Sequence, residues 1–176
     1  MKLFAILIIL SQSFLLDLAA AKPRQKIHRR EQQRIINGFD APTNRYPYTV
    51  SLDLSTYGHF CGGSVIAPDL VLSAAHCPPG IIDKIVINPH NINDPQDSTE
   101  TFSIENFASH PLYHTLTPFD HDLMIIKLDG FTNHPIVRLN TDGMLPEMNS
   151  TLQVMGWGKT NTDYYFSTTS SILQEV

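Results

Sequence analysis

Two short segments of this chain carry residue types able to do acid–base chemistry. Leu72-Ser73-Ala74-Ala75-His76-Cys77 sets a histidine after small residues and beside one of the chain's two cysteines. Small neighbours let a backbone pack closely, and a bridge from Cys77 back to Cys61 would hold the imidazole in the fixed geometry that a general base needs. Asp122 stands directly before the apolar run Leu123-Met124-Ile125-Ile126-Lys127-Leu128. A carboxylate there is drawn partly out of water and needs a partner, and an imidazolium serves. One histidine among eight is by default a surface or satisfied core residue, and on residue types alone that is the better reading of His76.

The elements that must position these residues read as strands. Thr49–Leu54 alternates as a strand does, and Val65–Ile66, Val71–Leu72 and Ile85–Ile87 are short β-branched or apolar runs. Leu123–Leu128 is nearly continuous apolar, the pattern of a strand buried on both faces. Gly and Pro punctuate the runs at Pro47, Gly62-Gly63, Pro68, Pro78-Pro79-Gly80, Pro89 and Pro111. After Ile35 there is no helical stripe and no repeat at a fixed period. The pattern predicts an all-β domain of short strands, a barrel or a sandwich.

Composition agrees with an ordinary globular chain. It is 42% hydrophobic and 16% charged, with 12 Pro and 9 Gly, which excludes collagen-like, coiled-coil and wholly disordered classes. The net charge of −5 conceals a split, since residues 1–34 hold an excess of basic residues and the remaining acids all fall in residues 35–176. Phosphate contacts need a basic surface, so the acidic part is no nucleic-acid binder.

Residues 1–21 read as a signal peptide. Lys2 is a positive start, the apolar run Leu3 to Leu16 is interrupted only by Ser11-Gln12-Ser13, and Ala19-Ala20-Ala21 supplies small residues for cleavage. The run is shorter than a membrane span of about 20 residues and Asp17 follows it, so no membrane anchor is expected. The implied location is secreted, extracellular and oxidising, which permits a Cys61–Cys77 disulfide. Asn149-Ser150-Thr151 is an acceptor sequon for glycosylation if it lies on the surface. Residues 22–34, KPRQKIHRREQQR, have no apolar periodicity and read as an exposed, protease-sensitive strip, a basic propeptide if a cut falls after Arg34.

Beyond this strip the sequence resembles the trypsin/chymotrypsin-like serine proteases. Arg34-Ile35-Ile36-Asn37-Gly38 is similar to that family's activation junction, and Tyr46-Pro47-Tyr48-Thr49-Val50-Ser51-Leu52 to its first barrel strand. His59-Phe60-Cys61-Gly62-Gly63-Ser64 with Leu72–Cys77 resembles the strand pair around its histidine. His110-Pro111-Leu112-Tyr113 resembles the approach to its aspartate. Gly156-Trp157-Gly158-Lys159-Thr160 and Leu173-Gln174-Glu175-Val176 resemble later strands.

The resemblance implies a trypsin-like first six-stranded antiparallel barrel plus the opening strands of an incomplete second barrel. Residues 35–176 would be a truncated peptidase domain, with about 35–130 the first barrel, 131–150 a linker and 151–176 the start of the second. It implies His76 as general base and Asp122 as the residue that orients it. Asp120 competes, but the family's lysine five positions after the aspartate is matched by Asp122 with Lys127. Cleavage between Arg34 and Ile35 by an activating protease would free the new amino terminus.

No segment reads G-D-S-G-G-P, the family's nucleophile and oxyanion loop. Ser64, Ser73 and the Ser167–Ser171 cluster lack its flanking glycines. The expectation is a secreted trypsin-like serine endopeptidase by resemblance, acting on protein or peptide substrates if completed and inactive as this chain alone. No cofactor and no metal are implied. The alternative is a non-catalytic protease-like binding protein. Metal binding through His110, His114 and His121, or calcium binding through Asn91, Asp94, Asp97 and Glu100, is a third reading. The lone barrel is expected to leave an apolar surface and an unpaired strand edge near Ile172–Val176, and so to associate.

Overall fold

The structure is a computed structural model and describes residues 38–94, 98–159 and 169–176. Arg34, Ile35, the leader, Asp97 and Ser167 lie outside the described residues.

Strand formation follows the apolar runs. β2 (Thr49–Leu54) is bordered on one side by β3 (Gly58–Ala67) and on the other by β5 (Lys84–Ile87). β4 (Leu70–Ser73) pairs with β3 and with β8 (Met124–Leu128). β6 (Glu100–Phe102) and β7 (Ile104–Ser109) are separated by Ser103 alone. β6 pairs with β5 at one edge of the sheet, and β7 pairs with β8 at the other. The sheet's two edges are therefore one bent stretch of chain, and with β6 and β7 taken together the sheet is a six-stranded antiparallel barrel. Ser103 is pinned at the bend, its N–H donating to Asp129 Oδ1 at 2.9 Å and its carbonyl accepting from Asp129 N at 3.2 Å. Among the described residues the only helical element is a single 3-10 turn, Pro79–Ile81.

Alternate residues of these strands point inward and form the core: Val50 and Leu52, Val65, Val71, Ile85 and Ile87, and Met124, Ile126 and Leu128. β8 corrects one expectation. It is not buried on both faces, because Leu123 is 50% and Ile125 43% exposed while their neighbours face inward. A barrel has one interior, so every second side chain must leave it, and a nearly continuous apolar run does not show this in advance.

A second sheet joins β1 (Phe39–Asp40), β10 (Gln174–Glu175) and β9 (Met155–Gly156) in that order. This overturns the expected free edge at Ile172–Val176. β10 is the middle strand, flanked on both sides, and Val154 and Val176 exchange backbone hydrogen bonds of 2.9 and 3.0 Å beyond it. The partners come from far along the chain, which no local pattern reveals. Ala41, Tyr46, Trp157 and Leu173 form a small core beneath this sheet. Between Phe131 and Val154 there is no strand, and large apolar side chains stand in solvent.

Candidate active site

The register between β4 and β8 brings the acid–base residues together. Ser73 lies opposite Met124, and continuing the same antiparallel count past the sheet sets Ala75 opposite Asp122. The chain turns at once after β4, with Cys77 N–H donating to Ala74 O at 3.2 Å, and the Cys61–Cys77 disulfide ties the turn to β3. Small side chains at Ala74 and Ala75 leave room for this tight return.

His76 is held to Asp122 at two points. Its backbone N–H donates to Oδ1 at 2.8 Å, and its ring Nδ1 lies 2.6 Å from Oδ2. The ring hydrogen bond, together with backbone N–H donors from His76 and Ala75 and the attraction of the imidazole, holds the Asp122 carboxyl below its usual range, against partial desolvation that pushes it up. An ionised carboxylate only accepts, so Nδ1 carries the hydrogen and a neutral ring keeps its lone pair on Nε2. Half of the His76 side chain remains exposed, while Asp122 is mostly covered. The Phe119 ring stands edge-on to the imidazole at 5.8 Å.

Asp120 does not compete. Its carboxylate accepts the Thr115 and Leu116 N–H groups at 3.1 Å each and lies 3.5 Å from His121 Nδ1, so it caps its own loop. Lys127 pairs with Asp69 and Glu105, not with the catalytic candidate.

His76 and Asp122 open on a cleft of about 620 Å³ that His59, Gly62, Gly63 and Trp157 also line. His59 received no separate role from the sequence, although it begins one of the quoted motifs. It sits edge-on to Trp157 at 5.2 Å, and its Nδ1 lies 2.7 Å from Ser51 Oγ. Ser51 also hydrogen bonds the Asp53 carboxylate. Burial pushes the His59 pKa down, and the Asp53 charge opposes this. Ser51, His59 and Asp53 have the residue types of a catalytic triad and the wrong geometry. The aspartate touches the serine and not the imidazole, and Ser51 is 1% exposed, beyond reach of a substrate.

The other candidate nucleophiles fare no better. Ser73 Oγ donates to Gly62 O at 2.9 Å, and Ser170 Oγ donates to Ile172 O at 2.7 Å. Ser64 lines the cleft, but among the described residues no serine oxygen is hydrogen bonded to His76.

His110 stacks on His121 at 4.7 Å while His114 stacks on Tyr113, so these three do not form one ligand set among the described residues. In the acidic loop, Glu100 Oε2 accepts from Thr132 Oγ1 at 2.5 Å and from Asn133 N at 3.2 Å. Burial pushes the Glu100 carboxyl up, but those hydrogen bonds outweigh it and leave it below its usual range. Cys61, His76 and Cys77 lie close together, but the two sulfurs are bonded to each other and offer no thiolate.

A model of the trypsin family matches residues 35–176. The chain belongs to the trypsin family. Among the family's curated members, granzyme M of Rattus norvegicus is 34% identical over 154 residues, 84% of this chain and 58% of its own length. Hepatocyte growth factor activator serine protease of Homo sapiens is 32% identical, covering 89% of this chain and 26% of itself. Trypsin II-P29 of Gallus gallus is 33% identical, covering 77% of this chain and 54% of itself. Among solved structures, human heparin binding protein superposes with a TM-score of 0.63 at 26% identity over 81% of this chain and 64% of that one. This trypsin-family chain thus spans less than two thirds of the length of these relatives.

Proposed function

We propose that this chain carries the general-base half of a trypsin-like serine endopeptidase site and is exported from the cell that makes it. His76 is the base and Asp122 the group that fixes its tautomer and stabilises the imidazolium it becomes. The observation that supports this most strongly is the two-point attachment of His76 to Asp122 at the mouth of a cleft, in a chain of this family. Nε2 is then the atom that takes a proton from an attacking hydroxyl and returns it to the leaving amine.

The hydroxyl is the missing part. The 176 residues contain no G-D-S-G-G-P segment, so they hold neither the family's nucleophile nor the backbone donors that stabilise an oxyanion. Loss of a triad member forfeits several powers of ten in rate, and what survives depends on the oxyanion hole that is missing here too. Protein or peptide substrates and cleavage by an activating protease after Arg34 belong to the completed enzyme, and the leader at 1–21 directs it into the secretory pathway. The 176-residue chain alone hydrolyses no peptide bond. Incubating it with a fluorophosphonate, which labels activated serines covalently, should leave its mass unchanged. Labelling of one residue per chain would overturn this reading.

One finding favours a second reading, a non-catalytic binding protein: the fold neighbour human heparin binding protein is named for what it binds. Heparin itself is a poor candidate ligand here, because residues 35–176 hold most of the chain's acids and few of its bases and a polyanion needs the reverse.

A further inference from the structure

The sequon Asn149-Ser150-Thr151 plays no part in the site, and the structure meets the condition it set. Asn149, Ser150 and Thr151 are all exposed. Ser150 N–H donates to Glu147 O at 3.0 Å, so the acceptor asparagine sits in a turn, and Asn149 has a φ of 68°. No strand follows until β9, and no residue of 131–154 lines the cleft. The same stretch exposes apolar side chains, with Met144 at 82%, Met148 at 92%, Leu152 at 63% and Val154 at 53%.

We infer that Asn149 carries an N-linked glycan and that this glycan covers the apolar stretch around Met144, Met148 and Leu152. The inference rests on passage into the secretory pathway, proposed above. In the transfer, the Asn149 amide nitrogen bonds to the anomeric carbon of a lipid-pyrophosphate-linked oligosaccharide. The bond from that carbon to the pyrophosphate oxygen breaks, lipid pyrophosphate leaves with its electron pair, and the amide proton passes to a base of the transferase. An exposed turn outside any β-ladder lets the asparagine enter such an active site without unfolding the barrel. A bulky hydrophilic chain at this point limits association through the surrounding apolar residues, and because Asn149 does not line the cleft it leaves His76 accessible.

The test is translation of the full chain in the presence of endoplasmic-reticulum membranes, beside a version whose residues 1–21 are replaced by a proven secretory leader. Glycan is read as a mass increment removed by an N-glycosidase. The increment should appear with the proven leader, vanish in Asn149→Gln and Thr151→Ala, and persist in Thr151→Ser, which keeps the sequon. A lumenal chain that remains unglycosylated would overturn the inference. Glycosylation with the proven leader and none with the native one would uphold the site and overturn the secretory reading instead. Enzymatic removal of the glycan should at least double the fluorescence of a bound hydrophobic dye. Unchanged dye binding would overturn the covering role.

Discussion

Gly62 and Gly63 are adjacent in β3, and the structure assigns them opposite tolerances. A Cβ built on Gly63 would meet Leu72 O and Val71 Cγ1, both at 2.9 Å, and Ser73 Cβ at 3.7 Å. On Gly62 the nearest atom is Val50 O at 3.9 Å, an ordinary contact. The carbonyl belongs to the backbone of β4, which Gly63 pairs with directly, and Val71 is fully buried, so neither neighbour can swing aside. Gly63→Ala therefore requires β3 and β4 to part by roughly half an ångström, an overpacking strain of about 1–3 kcal/mol. Gly62→Ala should stay within about 1 kcal/mol of the parent, in either direction. Urea unfolding followed by circular dichroism measures both, and Gly63→Ala should shift the midpoint down with little change in slope. Because the strain falls one pair away from the turn that carries His76, the same variant should also broaden the His76 ring signals in an NMR spectrum. Equal midpoints for the two variants would refute the close approach of β3 and β4 on which the positioning of His76 depends.

Other perturbations test separate parts of the account. Replacing Cys61 and Cys77 together by Ser should cost about 3 kcal/mol, the loop-closure value for a bridge spanning 16 residues, and should appear as a lower melting temperature. Ile126→Ala, in a fully buried position of β8, should cost about 2–5 kcal/mol in the same urea assay. For Asp122 the folded carboxyl lies below its unfolded value, so the folded state binds fewer protons there. Its stabilisation is complete above the unfolded value of about 3.9 and is lost as pH falls through the folded one. Asp122→Asn should accordingly flatten the fall in stability below about pH 4, and unfolding curves recorded across that range check it.

Much of the barrel was legible because its strands carry their own signal. Thr49–Leu54 and Ile85–Ile87 announce β2 and β5 by β-branched residues between turn formers, and small residues around His76 foretell the tight return after β4. β6 and β7 gave no such signal. The stretch Glu100–Ser109 mixes Glu, Thr, Ser and Asn with a few apolar residues, and it forms two strands because two different edges need a partner. The mid-sheet place of β10 was hidden for a related reason, since its partners at Phe39 and Gly156 are remote in sequence.

The pairing of His76 with Asp122 was expected from the family resemblance, since residue types alone left His76 an ordinary histidine, and the β4–β8 register supplies the physical cause of their contact. The Ser51–Asp53–His59 network was not. It depends on an irregularity in the β2–β3 ladder, where Leu52 pairs with Cys61 but Asp53 pairs with His59, so that Phe60 is skipped and the histidine turns toward the serine. A bulge cannot be read from a chain whose two strands both alternate acceptably without it.

Everything proposed for the site turns on Asp122 being the partner that fixes the His76 imidazole. Titrating the Asp122 side-chain carboxyl by carbon NMR, in the parent chain and in His76→Ala, tests it most directly. The midpoint should lie below the ordinary aspartate range in the parent and rise clearly toward that range in the variant, because the ring hydrogen bond is the largest influence on that carboxyl. The same midpoint in both chains would contradict it.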